Sequence, residues 1–131
     1  MSGPISALVE DAVACMTHEA PVAYELMAQA LGARRFELAI DDEHFMLDLG
    51  PTALRGAVVS IATDIETLHD LVHGQLDLLD AIVVGRLDVM AGPDDVAAAA
   101  AAMTYFVQGA MRCVSMRPLI DRLEGLRKER T

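Results

Sequence analysis

The sequence predicts an α+β domain in which helices lie across one face of a small sheet. Apolar residues recur at helical spacing near both ends of the chain, whereas they alternate with polar residues between positions 35 and 49. The 131 residues are the length of one ordinary domain, so the whole chain, 1–131, is expected to fold as one unit. Apolar helix stripes and an apolar sheet face bury each other, which gives the layered arrangement.

Two helices are expected before the sheet begins. Residues 5–16 and 21–31 carry apolar side chains at helical spacing. Pro21 suits the first position of the second helix, because the N–H that proline lacks would have no partner within the helix. Gly32, directly after the last apolar residue, indicates where this helix ends.

The alternation that follows predicts a β-hairpin with one buried face. Residues 34–40 and 43–49 are its strands, and Asp41-Asp42 forms the turn between them. The apolar side chains that share the buried face are Phe36, Leu38, Ile40, Phe45, Leu47 and Leu49. A short edge strand is expected near Leu54-Arg55, and residues 57–62 are predicted as a further strand.

The centre of the chain predicts two short helices, each closed by a glycine. Thr63 and Glu66 have the spacing of a capping box, which marks the start of the first helix. This helix is expected to end at Gly74, and the next one, over 77–84, at Gly85. Glycine adopts the left-handed conformation that closes a helix more readily than other residues.

A strand and two helices complete the pattern. Residues 86–91 are expected as the last strand, and its core-face residues are Leu87, Val89 and Ala91. Gly92-Pro93 begins a long helix that runs to about Cys113, and residues 118–129 form a final amphipathic helix.

The composition suits either an adaptable apolar site or a plain aliphatic core. Hydrophobic residues make up 53% of the chain, aromatic residues only 4%, and eight residues are methionine. Methionine is flexible and fills irregular space, so a lining rich in it adapts to an apolar ligand. The six alanines at 97–102 are the counter-argument, because they let their helix pack close to the sheet and shrink any cavity.

The net charge argues against nucleic-acid binding, and the C-terminal end of the chain differs from the rest in the sign of its charge. The formal net charge is −10 at pH 7, whereas nucleic-acid surfaces are basic. Residues 112–131 alone are basic, with six arginines and lysines against three acids. This end is interpreted either as a transient contact for an anionic membrane or acidic partner, or as a helix end whose dipole favours cations.

The two cysteines and the N-terminus predict a cytoplasmic protein with reduced thiols. Glu10 and Asp11 lie where a secretory signal needs an apolar run, and no apolar stretch has the length of a membrane span. Two cysteines, Cys15 and Cys113, do not form the disulfide framework of a small secreted domain.

Two ordered motifs carry a resemblance to a known family. They are the hairpin FELAIDDEHFMLDLG at 36–50 and the unit ATDIETLHDLVHGQLDLLDAIVVGRLDVMAG at 62–92. Within the second, Gly74-Gln75-Leu76-Asp77 and Gly85-Arg86-Leu87-Asp88-Val89 match the glycine-centred patterns of that family. By these residues the chain resembles the sterol-carrier-protein (type 2) domain over about residues 34–105, with extra helices at both ends.

The resemblance implies a fold and a function. The fold is a five-stranded, mainly antiparallel sheet covered on one face by helices, with an apolar tunnel between the two layers. The implied function is binding of a sterol, a fatty acyl chain or a similar lipid, without catalytic residues, cofactor or metal. The side chains expected to line the tunnel are Phe36, Leu38, Phe45, Leu47, Leu71, Leu79, Ile82, Val83, Val89, Met103, Phe106 and Val107.

One alternative is a sensing or assembly domain that acts through dimerisation. Ala39, Met46 and Met90 lie on the outer face of the predicted sheet and are rimmed by charged residues. In this interpretation the partner is a second copy of the chain.

A second alternative is a small biosynthetic enzyme that holds an apolar substrate in the tunnel. His44, Asp48 and Arg55 are the side chains to test first as acid–base groups. His69 and His73 have the spacing of two metal ligands on one helix, but no third ligand shares their face, so no metal site is assigned. Both histidines are expected near the rim of the domain.

Overall fold

Six helices and four strands make up the part of the chain that the computed structural model describes, residues 3–32, 34–48 and 58–130. In chain order they are α1 (Pro4–Glu19), α2 (Pro21–Leu31), β1 (Arg35–Ile40), β2 (Glu43–Asp48), β3 (Val58–Thr63), α3 (Ile65–Val72), α4 (Leu78–Val83), β4 (Asp88–Met90), α5 (Pro93–Ala110) and α6 (Met116–Glu129). The predicted α+β class is confirmed. Among these described residues, no helix has both the length and the apolar character needed to cross a membrane.

The four strands form a mixed sheet in the order β2-β1-β3-β4. The pairs β1–β2 and β3–β4 are antiparallel, but the central pair β1–β3 is parallel. The parallel pair follows from where the strands end, since Asp48 at the end of β2 and Val58 at the start of β3 both lie beside Arg35. The edge strand predicted near Leu54-Arg55 lies outside the described residues.

The register places the apolar side chains of three strands on one face. Phe36 lies between Leu47 and Val59, and Leu38 lies between Phe45 and Ile61. Residues opposite one another in a sheet point to the same side, so these rows form a continuous apolar surface. The helices pack on this surface, whereas Met46 and Met90 on the other face are exposed.

The start of α3 differs by one residue from the predicted capping box. Asp64 is the N-cap, and its carboxylate accepts a hydrogen bond from the Thr67 backbone N–H at 2.8 Å. Thr63 is the last residue of β3 instead, and its hydroxyl donates to the Arg86 carbonyl at 3.0 Å. Asp is at least as good an N-cap as Thr. The adjacent residues Thr63 and Asp64 therefore both suited the N-cap position, and the sequence did not decide between them.

The glycines predicted to close α3 and α4 do adopt the left-handed conformation. Gly74 has φ of 71° and Gly85 has φ of 79°. The predicted last strand is shorter than expected, since β4 keeps only Asp88–Met90 and leaves Ala91 exposed.

Polar contacts with the hairpin fix the helices at the two ends of the chain. Glu43 accepts hydrogen bonds from the backbone N–H groups of Ile5 and Ser6 at the start of α1, at 2.9 and 3.1 Å. Arg130, directly after α6, lies 3.2 Å from Glu43 and 2.9 Å from Asp42. A carboxylate at a helix N-terminus is stabilising because it meets both free N–H groups and the positive end of the dipole. The hairpin therefore holds both terminal helices over the sheet.

Candidate functional site

An apolar cavity of about 210 Å³ lies between the sheet and the helices. Every helix and three of the strands contribute to its wall, which is made of Leu8, Val9, Ala12, Val13, Met27, Leu31, Phe36, Leu38, Ile40, Leu47, Ile61, Thr63, Leu68, Leu71, Val72, Leu78, Leu87, Ala99, Ala102, Met103, Phe106, Met116, Leu119, Ile120 and Leu123. The cavity is thus at the centre of the domain, where the layers meet.

The wall of the cavity offers no free polar group among these residues. Of the wall residues that the structure describes, only Thr63 has a polar side chain, and its hydroxyl already donates to the Arg86 carbonyl at 3.0 Å. Polar or charged ligand groups would lose their hydrogen bonds to water in such a space and gain none. The chemistry of this wall suits hydrocarbon.

Six of the twelve side chains expected to line a tunnel do line this cavity. They are Phe36, Leu38, Leu47, Leu71, Met103 and Phe106. The other six are Phe45, Leu79, Ile82, Val83, Val89 and Val107, and none of them belongs to its wall. Phe45, Ile82 and Val89 are half-buried and pack against the core instead.

Two of the expected tunnel residues face away from the interior altogether. Leu79 is 47% exposed and Val83 is 83% exposed. Leu78 and Ala81 are three residues apart and lie on the buried side of α4. Because of this helical spacing, Leu79 and Val83 lie on the opposite, exposed side. The expectation that these two side chains line the tunnel is therefore corrected.

The terminal helices supply wall residues that the sequence did not indicate. Ten of the wall residues belong to α1, α2 or α6. All three helices lie outside residues 34–105, the segment over which the family resemblance runs. The only signal in the sequence was their apolar stripe, which an ordinary core helix shows as well.

A second, more polar depression adjoins the cavity. Its volume is about 280 Å³, and its wall shares Leu71, Leu78 and Met103 with the cavity. The remaining wall residues are Gly74, Leu76, Asp77, Thr104, Val107 and Gln108. Val107, expected in the tunnel, thus lies in this depression.

His69 is buried in a network of charged side chains rather than lying near the rim. It is 8% exposed, with Nδ1 3.1 Å from Asp70 Oδ1 and Nε2 2.8 Å from Glu124 Oε2. Arg86 lies 2.8 Å from Asp70, and Arg127 pairs with Glu124. This network joins α3 to α6, so it holds two walls of the cavity together.

The arginines set the protonation of the carboxylates in this network. The hydrogen bond from Arg86, followed by the one from His69, lowers the pKa of Asp70 below its ordinary value of 3.8. In the same way the hydrogen bond from Arg127 lowers the pKa of Glu124. A carboxyl group with a lowered pKa in the folded state stabilises the fold above its ordinary pKa, and this contribution is lost as the pH falls.

The stability contributed by Asp70 should therefore depend on pH. We expect Asp70→Asn to lower the free energy of unfolding by about 1 kcal/mol at pH 7, because it weakens a charge-assisted contact with Arg86. At pH 3 the difference should be smaller than at pH 7, because the unfolded chain takes up a proton on Asp70 below its ordinary pKa of 3.8. It should vanish only below the lowered pKa of the folded state. Urea unfolding at both pH values measures it, with the exposed Asp88→Asn as control. A difference of equal size at pH 3 and pH 7 would contradict the assignment.

The other candidate chemical groups of the sequence do not form a site. His44 lies 2.7 Å from Glu37 on the open face of the sheet, where the imidazole is mostly exposed. The Asp48 side chain and Arg55 lie outside the described part of the chain. His73 stacks on His69, with ring centroids 4.1 Å apart, but the described residues hold no group of three or more potential ligands placed for a metal ion.

Both cysteines are buried, and neither belongs to the cavity wall. Burial and the hydrogen bond to Glu19 raise the pKa of the Cys15 thiol to about 12. Burial also raises the pKa of Cys113, whose thiol donates to the Gly109 carbonyl at 3.3 Å. The protonated thiol is a poor nucleophile, so these side chains are structural at neutral pH.

A ligand in the cavity would meet only apolar side chains along most of the described wall. The described wall of the cavity is hydrocarbon, whereas the depression beside it contains carboxylate and amide groups. Comparison of the chain with protein-family models, with curated proteins and with solved structures finds no match.

Proposed function

We propose that this protein binds an apolar small molecule in the central cavity. The observation that carries the proposal is the described part of the wall, in which the Thr63 hydroxyl is the only polar side-chain group and is already hydrogen-bonded. A space with no free donor or acceptor excludes water and accepts hydrocarbon. This is the chemistry of a carrier or sensor of lipids.

The energy of an empty cavity also supports a ligand. At roughly 24 cal/mol per Å³, an enclosed and empty void of about 210 Å³ would cost about 5 kcal/mol. The whole free energy of unfolding of a domain is about 5–15 kcal/mol. A bound hydrocarbon would recover much of this energy through contacts with the wall.

The size of the cavity favours an alkyl chain over a sterol ring system. Sites for drug-sized ligands have volumes of about 300–1,000 Å³. This cavity is smaller, at about 210 Å³. The resemblance to sterol-carrier-protein domains is consistent with a fatty chain, since that family is expected to hold acyl chains as well as sterols.

Titration with octanol tests the proposal. We expect saturable binding by calorimetry with a negative heat-capacity change, because burial of apolar surface has that signature. At a free concentration about 100 times Kd, octanol should raise the free energy of unfolding by about 2.7 kcal/mol. Native mass spectrometry of the purified protein tests in parallel for a co-purified lipid.

One variant that fills the cavity and one control variant on the surface test whether octanol binds in the cavity. Ala99→Leu extends a cavity-wall side chain into the void and should weaken octanol binding at least about tenfold. Leu79→Arg changes an exposed side chain on α4 and should leave binding unchanged. No binding by the wild type, or equal loss in both variants, would rule out the central cavity as the site.

A further inference from the structure

The polar depression lies directly beside the apolar cavity. Leu71, Leu78 and Met103 belong to both walls, so the two spaces meet at these three side chains. Met103 is half-buried, and its unbranched side chain changes rotamer more easily than a branched one. A chain entering from the depression would pass beside Met103.

Asp77 and Gln108 give the depression its polar chemistry. Asp77 precedes α4 but does not cap it with its side chain. Within the described residues, neither Asp77 nor Gln108 has a side-chain hydrogen-bond partner in the protein. The third polar side chain, Thr104, already donates to the Ala100 carbonyl at 3.1 Å. The unpaired groups are therefore one carboxylate and one amide.

We propose that the natural ligand is amphipathic, with an alkyl tail in the cavity and a hydrogen-bond-donating head, an ammonium or hydroxyl group, beside Asp77 and Gln108. This assignment rests on the proposed function, because it takes the central cavity as the site of the tail. The tail meets only apolar side chains there, and the head meets the free carboxylate and amide at the mouth.

The charge of the depression distinguishes between head groups. Asp77 is the only charged side chain in the described wall of the depression, so it attracts a cation and repels a carboxylate. Because the carboxylate is exposed, its attraction is modest and screened by salt. A fatty acid is consequently the least suitable of the simple amphiphiles.

A series of ligands with one tail and three heads tests this assignment. Octylamine, octanol and octanoate are titrated at pH 7 and low ionic strength, where the amine is protonated and the acid ionised. We expect octylamine to bind about two- to fivefold more tightly than octanol, and octanoate to bind more weakly than octanol by a similar factor. Added salt should reduce both differences.

Variants of exposed residues test whether this ranking of ligand affinities depends on the side chains of the depression. Asp77→Asn should remove the preference for octylamine while octanol binding stays the same. Gln108→Glu adds a second carboxylate to the wall and should increase the preference. Asp80→Asn is the matched control, because Asp80 is an exposed acid of α4 outside the wall.

The outcomes separate the two proposals. Equal binding of all three ligands, or tightest binding of octanoate, would overturn the head-group assignment and leave the cavity as a hydrocarbon site. A preference for octylamine that survives Asp77→Asn would overturn the placement of the head. Failure of all three to bind would overturn the proposed function and, with it, this assignment.

Discussion

Replacing Ala102 by leucine is expected to stabilise the protein, whereas the same replacement at Ala81 should destabilise it. Both alanines are buried in helices, at 6% and 0% exposure. Ala102 lies in the cavity wall, so a larger side chain can enter the void and should add about 0.5–2 kcal/mol to the free energy of unfolding. Ala81 does not belong to that wall, and overpacking there should remove about 1–3 kcal/mol.

Helix propensity does not account for such a difference, since alanine and leucine are both strong helix formers. Urea unfolding of the two variants measures the stabilities, and calorimetry with octanol measures the consequence for binding. Ala102→Leu should weaken octanol binding at least about tenfold, because the new side chain occupies the space of the ligand. Loss of stability in both variants would mean that the wall around Ala102 is already close-packed.

The local elements of the fold could be predicted because each has a short-range cause. The alternation in residues 35–48 fixes the face of each side chain, and the two-residue turn Asp41-Asp42 fixes the register that pairs Leu38 with Phe45. Gly74 and Gly85 close their helices in the left-handed conformation as expected. The parallel pairing of β1 with β3 has no such local signature, because it depends on where two separated strands meet.

The same distinction between local and long-range causes separates the site residues that were predicted correctly from those that were not. Strand positions such as Phe36 and Leu47 line the cavity because the alternation fixes the face of a strand. On α4, with only six residues, the apolar side chains surround the helix, so periodicity could not say whether Leu78 or Leu79 faces inward. The structure turns Leu78 inward.

The alanines of α5 contribute to the cavity rather than close it. The sequence left open the opposite outcome, in which a run of small side chains brings the helix close to the sheet and reduces the void. Ala99 and Ala102 instead form part of the cavity wall, where their short side chains leave space that larger residues would fill. The close approach of α5 occurs at its other end, against α2.

At that end, we expect Gly109→Ala to lower the free energy of unfolding by about 1–3 kcal/mol, although alanine is the better helix former. A Cβ atom at Gly109 would lie 2.8 Å from Ala23 Cβ and 2.7 Å from Met16 Cε. The methionine end can move, but Ala23 Cβ is attached to the α2 backbone, so α2 and α5 must separate.

Gly125→Ala on α6 is the matched control for the Gly109 substitution, because a Cβ there meets nothing within 4 Å. It should gain about 0.5–1 kcal/mol from helix propensity alone. The double variant Gly109→Ala with Ala23→Gly restores the missing space, so its loss should be smaller than the sum of the two single losses. Urea unfolding of the four variants measures these differences. If Gly109→Ala were as stable as Gly125→Ala, the two helices would not approach this closely, and the wall that α2 and α5 build around the cavity would have a different shape.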